Sequence, residues 1–258
     1  MTPPRVLVCA GLDPSGGAGL LADLEALAAV GACGWAVATA LTAQGQRGAL
    51  AMEPVAPRLV RAQVDALLAG GGERPRAVKT GMLGSAAVAR TLAQRLAASD
   101  LARVPLVVDP VLAATSGLTL LETGRGGPAA ALAPLLARAT LATPNWPELE
   151  LLAGRALGSE EEAVRAAREL PARAVLVKGG HREGPPVDLL VRGRSVVRLV
   201  GRRRPGTRRG TGCRLASAIA GMLARRASME DAVRAGKRIV EAYLDAGGPV
   251  PSSRSPSS

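Results

Sequence analysis

Short apolar runs, many of them β-branched, alternate along this chain with longer Ala/Leu stretches that carry polar positions at helical spacing. The apolar runs at 6–10, 35–41, 77–80, 106–109, 140–143 and 174–178 predict strands. Helices are predicted between them at 19–30, 57–68, 85–97, 128–136, 147–152 and 159–170. Strand, helix, strand at this spacing predicts an α/β fold, a mostly parallel sheet covered on both faces. Two closely spaced runs, 188–191 and 195–200, flank Arg192, Gly193 and Arg194 and predict an antiparallel hairpin at the sheet edge. Two last helices follow at 213–225 and 229–245, and the Pro/Ser-rich residues 247–258 are expected to be disordered. One domain over residues 1–246 is the simplest reading.

Polar residues cluster where these strands end. Asp13, Gln44, Lys79, Thr80, Asp109, Asn145, Glu148, Lys178 and His181 all fall at or just after carboxyl ends of predicted strands. Open parallel sheets bind ligands there. Near the C-terminus, Arg209, Gly210, Thr211, Gly212 and Cys213 open directly onto an apolar helical stretch, which makes a glycine loop at a helix N-terminus. Free backbone N–H groups and the positive end of the dipole favour a phosphate there, and the same field favours thiolate over thiol at Cys213. The motif by itself is equally compatible with a turn followed by a small buried cysteine. Asn145 and Glu148 likewise read either as an N-cap with a first-turn carboxylate or as polar ligands. A Gly-x-x-x-x-Gly-Lys-Ser/Thr phosphate loop and a Gly-x-Gly-x-x-Gly turn are both absent from the sequence.

Composition narrows the partners. The formal charge is +12, yet only Lys79, Lys178 and Lys237 are lysines, and the arginines are scattered along every segment except for a cluster at Arg202, Arg203, Arg204, Arg208 and Arg209. With no Phe, two Trp and one Tyr, the chain lacks the aromatic platforms on which bases stack, so nucleic acid is not the expected partner. The uncharged stretch 26–46 is interrupted by Gly31, Gly34 and Gly45 and rich in Ala and Thr, which argues against a membrane span. Three widely spaced cysteines suggest neither a disulfide framework nor a metal knuckle, and with no secretory signal visible they point to a reducing, cytoplasmic setting.

Taken together, residues 11–23 (GLDPSGGAGLLAD), 39–44 (TALTAQ), 78–83 (VKTGML), 107–117 (VVDPVLAATSG), 143–148 (TPNWPE), 177–181 (VKGGH) and 210–213 (GTGC) resemble a known set. In order and nearly in spacing, over residues 5–245, they are similar to the hydroxymethylpyrimidine/phosphomethylpyrimidine kinases of thiamine biosynthesis, members of the ribokinase superfamily. The resemblance implies a three-layer α/β/α sandwich, a homodimer, and transfer of the ATP γ-phosphoryl group to a small aminopyrimidine alcohol and then to its monophosphate. It implies that Gly210, Thr211 and Gly212 hold the transferring phosphoryl group, with Cys213 as general base. Asn145, Glu148 and Asp109 would place Mg²⁺, and Lys178, Thr211 and Asn145 would meet the nucleotide. Gly11, Asp23, Gln44 and Met82 would line the acceptor pocket, although a surface position is the default for Asp23 from its helical pattern alone.

This sequence departs from the family pattern at Arg209 and Arg214, where His and Thr are usual, and at Gly45, where Asn is usual. Arg214 in a first helical turn opposes the dipole, and the added charge suits a relative restricted to the monophosphate. A pyridoxal kinase of the same superfamily and a non-catalytic pyrimidine- or nucleotide-binding relative are the alternatives.

Overall fold

The computed structural model describes residues 2–45, 48–70, 72–114, 117–180, 185–203 and 208–246. The expected tail, His181 and Arg204 lie outside them. Six parallel strands form the middle of the sheet: β1 (Arg5–Leu12), β2 (Cys33–Gly45), β4 (Ala77–Thr80), β6 (Leu106–Val108), β8 (Leu141–Ala142) and β9 (Val175–Val177). Antiparallel strands flank them, β3 (Gly48–Pro54) beside β2 on one side and the hairpin β10 (Val187–Arg192) and β11 (Ser195–Val200) beside β9 on the other. The order is β11-β10-β9-β8-β6-β4-β1-β2-β3. A separate two-stranded pair joins β5 (Gly84–Ser85) to β7 (Leu121–Glu122).

Strand periodicity sorts the core into two layers. Leu7 and Cys9 of β1 and Val78 of β4 face α2 (Pro57–Ala69), α3 (Ala86–Ala97), α4 (Gly127–Leu136), α5 (Trp146–Ala153) and α6 (Glu160–Glu169). Val6 and Val8 of β1 and Ala77 of β4 face α1 (Gly19–Ala29), α7 (Thr211–Ala224) and α8 (Met229–Asp245). Both faces are covered, so the central strands read as continuous apolar runs rather than alternating ones. The result is the expected three-layer α/β/α sandwich.

Three features differ from the sequence reading. β2 is longer than residues 35–41, and its extension pairs with β3, which the sequence did not suggest because GALAMEP has little β-branched character and leaves Leu50 84% exposed. The β5–β7 pair rests on contacts far apart in sequence. Helix α7 begins at Thr211 rather than Cys213. Because β1 lies between β2 and β4, the sheet grows first to one side of β1 and then to the other, and this reversal opens a crevice at the carboxyl ends of β1 and β4.

Candidate active site

The glycine loop builds one wall of this crevice. Gly210 caps α7 with φ +75°, a conformation that favours glycine, and the first helical amide with a partner in its own turn is that of Arg214, which donates to the Gly210 carbonyl at 3.0 Å. The amides of Thr211, Gly212 and Cys213 therefore stand in the first turn ahead of any intrahelical bond, the arrangement that suits an anion. A Cβ on Gly212 would lie 3.1 Å from the Lys178 ammonium, which puts that charge against the same turn.

The loop after β1 docks onto it. Asp13 organises that loop, its carboxylate accepting from Ser15 N at 2.9 Å, Ser15 Oγ at 2.7 Å and Ala18 N at 3.0 Å. Arg209 joins the two loops through Asp13 at 3.3 Å and Ser15 Oγ at 2.7 Å. Arg214, which opposes the dipole on sequence grounds, is buried and paired: it donates to Gly17 O at 3.1 Å and Glu25 at 2.5 Å. The guanidiniums of Arg208 and Arg214 each lie 3.7 Å from the centroid of the Tyr243 ring.

A second group forms where β6, β8 and β9 end. Lys178 bonds Asp109 at 2.8 Å and approaches Glu148 at 3.6 Å, while Thr143 donates to Asp109 at 3.0 Å. Asn145 and Glu148 form a reciprocal capping box at the start of α5, with Glu148 N donating to Asn145 at 2.8 Å and Asn145 N donating to Glu148 at 2.7 Å. The structure shows the N-cap reading of this pair, and the cap holds the carboxylate against Lys178. Burial pushes the Glu148 carboxyl up to about 7 despite Lys178, and Asp109 adds to the rise. Asp109 stays below its ordinary value, since Lys178 and Lys79 outweigh its burial.

Cys213 reverses an expectation. Burial pushes its thiol up to about 11, against the attraction of Lys79 and an amide hydrogen bond from Gly19, so desolvation outweighs the helix field. Behind it lies a buried group in which Asp23, expected at the acceptor pocket, is bound instead to Lys79 and Ser217, two residues to which sequence reasoning gave no role. Lys79 bonds both carboxylate oxygens of Asp23 at 2.8 Å, and Ser217 Oγ donates to Asp23 at 2.8 Å. Asp23, whose helical pattern suggested the surface, has no exposure at all. The available signals were a lysine inside an apolar strand and a serine four residues after Cys213 on the same helix face.

Of the residues expected to line an acceptor pocket, Gly11 and Met82 are in contact: a Cβ on Gly11 would lie 2.0 Å from the Met82 methyl carbon. Met82 packs with Ala40 and Leu120, and its carbonyl accepts from Thr39 Oγ1 at 2.5 Å. Gln44 lies within β2, just past a bulge, and accepts from Thr42 Oγ1 at 3.2 Å. The fold thus gathers Gly210, Thr211, Gly212, Cys213, Lys178, Asp109, Glu148 and Asn145 at one set of strand ends, with Gly11 near the end of β1 and Met82 against it.

Comparison with known proteins gives the family. The model of the phosphomethylpyrimidine kinase family matches residues 13–256. A hydroxymethylpyrimidine/phosphomethylpyrimidine kinase of Streptomyces coelicolor is 41% identical over 254 residues, 97% of this chain and 92% of its own length. Among solved structures, a phosphomethylpyrimidine kinase from Clostridium difficile 630 is similar with a TM-score of 0.74 at 32% identity, covering 95% of this chain and 99% of its own. A Staphylococcus aureus pyridoxal kinase in complex with AMP-PCP is similar with a TM-score of 0.84 at 28% identity, covering 98% of this chain and 92% of its own. A family match over nearly the whole chain, on a sheet that ends in this glycine loop and its facing lysine, makes the chain a member of the phosphomethylpyrimidine kinase family.

Proposed function

We propose that this protein phosphorylates 4-amino-5-hydroxymethyl-2-methylpyrimidine and its monophosphate with ATP, in thiamine biosynthesis. The observation that carries the reading is the turn at Thr211, Gly212 and Cys213, whose amides precede the first bond of the helix and beside which the Lys178 ammonium lies at Gly212. Phosphoryl transfer needs positioning and charge neutralisation more than covalent help, and this turn supplies both. Gly210, Thr211 and Gly212 cradle the transferring group, Lys178 neutralises phosphate oxygens, and Asn145 borders the nucleotide. Cys213 Sγ takes the proton of the acceptor hydroxyl as the new P–O bond forms and ADP leaves. Gly11, Met82 and Gln44 shape the acceptor side, whereas Asp23, fully buried against Lys79 and Ser217, does not line it.

Mg²⁺ fits the donor set. Among the described residues no cluster of three His, Cys, Asp or Glu side chains forms an all-protein cage, which suits an ion that keeps waters and phosphate oxygens as ligands. Asp109 and Glu148 would hold it, with Asn145 fixing Glu148, and the charge of a cation would favour the ionised form of a carboxyl that burial pushes up. The ion's contribution is to neutralise charge on the phosphates. Exposed Leu41 and Leu50 on the β2–β3 ribbon support a homodimer, and free Cys9, Cys33 and Cys213 support the cytoplasm as its setting.

A second reading, pyridoxal phosphorylation, is favoured by the likeness to the S. aureus enzyme. ADP release measured with the pyrimidine alcohol, its phosphate ester and pyridoxal separates the readings. Turnover of the pyrimidines is expected. Activity with pyridoxal alone overturns the proposal, turnover of the ester alone marks a monophosphate-restricted enzyme, and no ADP release with any acceptor marks a binding protein.

A further inference from the structure

Lys79 stands out as a charge with no task in the reaction just described. Its side chain is fully buried on the sheet face shared by Val6, Val8 and Ala77, beneath α1 and α7. Stability does not explain it, because a buried ion pair is commonly matched or bettered by apolar residues of similar volume. Its placement is also constrained. Asp23 grips it with both oxygens at 2.8 Å, Ser217 fixes Asp23 at 2.8 Å, and a Cβ on Gly81 would come within 2.7 Å of the ammonium. Ser217 lies one helical turn after Cys213, so the two side chains share the face of α7 that looks onto this pair.

We propose that Lys79 is a positioning residue for Cys213: its ammonium, anchored by Asp23 and Ser217, favours negative charge on the sulfur whenever the thiol gives up its proton. The inference rests on Cys213 acting as the base. The charged groups that act on the sulfur or are acted on by it come from four elements: Lys79 on β4, Asp23 on α1, Asp109 after β6 and Lys178 after β9. Two cations and two carboxylates balance, so the proton affinity of the sulfur depends on which of them lies best placed. Lys79 exerts the strongest of the attractions that lower it, while Asp23 and Asp109 raise it. Lys79 and Asp23 therefore act in opposite directions, although they form one ion pair.

That opposition gives a test which a merely structural role would not pass. In a Cys33→Ser background, which removes the exposed thiol and leaves Cys9 fully buried, the iodoacetamide alkylation rate of Cys213 is measured from pH 7 to 10. Lys79→Met is expected to slow alkylation at pH 9 by roughly tenfold, the effect of a shift of about one unit, and Asp23→Asn to accelerate it. In the kinase assay, kcat of Lys79→Met is expected to fall and to recover partly as pH rises, with KM for ATP little changed. Alkylation profiles for both variants that superimpose on the parent, or that move in the same direction, overturn the proposal. If Lys79→Met fails to fold, the acceleration in Asp23→Asn decides the matter. Opposite shifts in alkylation together with full kcat in Cys213→Ala would keep the electrostatic coupling and overturn the base reading instead, so the two failures are distinguishable.

Discussion

The carbonyl oxygen of Gly17 occupies the space in which a side chain on Gly210 would begin: a Cβ there would lie 2.2 Å from it. This contact brings the loop after β1, which starts at Asp13, against the cap of α7. Arg209 and Arg214 reinforce it from either side of the glycine loop, through Asp13 and Ser15 in one case and through Gly17 in the other. The loop after β1 and the glycine loop are thereby locked together.

Gly210→Ala should therefore damage both stability and turnover. It forces a Cβ into φ +75° and onto backbone that cannot swing away. A loss of about 2–4 kcal/mol in urea unfolding is expected, with kcat reduced at least tenfold at temperatures where the variant remains folded. Unchanged unfolding and turnover would show that the loop relaxes freely.

Cys213→Ala is expected to lower kcat by roughly 10² to 10⁴, the usual size of a general-base effect, with little change in KM. Because burial pushes the thiol up to about 11, the reactive thiolate is scarce at neutral pH, and kcat/KM of the parent should climb from pH 7 towards pH 10. Steady-state ADP release across that range checks both statements. A loss confined to KM would make Cys213 a binding group.

Removing the ammonium that faces Gly212 should weaken nucleotide binding as well as chemistry. Lys178→Met leaves Asp109 and Glu148 near each other without the cation that now bonds Asp109 at 2.8 Å. KM for ATP should rise about tenfold or more and kcat should fall, measured at saturating pyrimidine. Equilibrium binding of a non-hydrolysable ATP analogue that matches the parent would remove Lys178 from phosphate recognition.

Glu148 predicts a pH dependence of stability. Its folded-state value, pushed up to about 7, lies above the ordinary value near 4.5, so the native state holds this proton more tightly than the unfolded chain does. The resulting stabilisation is fully present below about 4.5 and is lost as pH rises through about 7. At about 1.4 kcal/mol per unit it amounts to as much as ~3 kcal/mol. Glu148→Gln keeps an acceptor for Asn145 N but cannot ionise, and should flatten the decline in urea-unfolding free energy between pH 5 and 8. Parallel pH profiles for parent and variant would contradict this.

Much of this molecule was legible before any coordinates. Apolar runs and helical spacing placed the parallel strands, the edge hairpin and α8 to within a few residues, because burial on both sheet faces writes itself into composition. Glycines beside Cys213 and polar residues at strand ends marked the candidate site, since loops at carboxyl ends of a parallel sheet have no core to fill. The ribbon from β2 to β3 escaped notice because β3 (GALAMEP) has no β-branched residue and no regular alternation of apolar and polar positions.

Residue types and their spacing by themselves determined the layered α/β architecture, the glycine loop at a helix start and the acidic and basic groups at strand ends. Only the tertiary structure decided how those groups are charged. Helix position alone favours a thiolate at Cys213, whereas the depth of burial in the folded protein reverses that preference. Asp23 reads as a surface residue until Lys79, 56 positions away, is seen against it. The physical reason is common to both: desolvation and pairwise charge depend on distances between segments remote in sequence, which local periodicity does not encode.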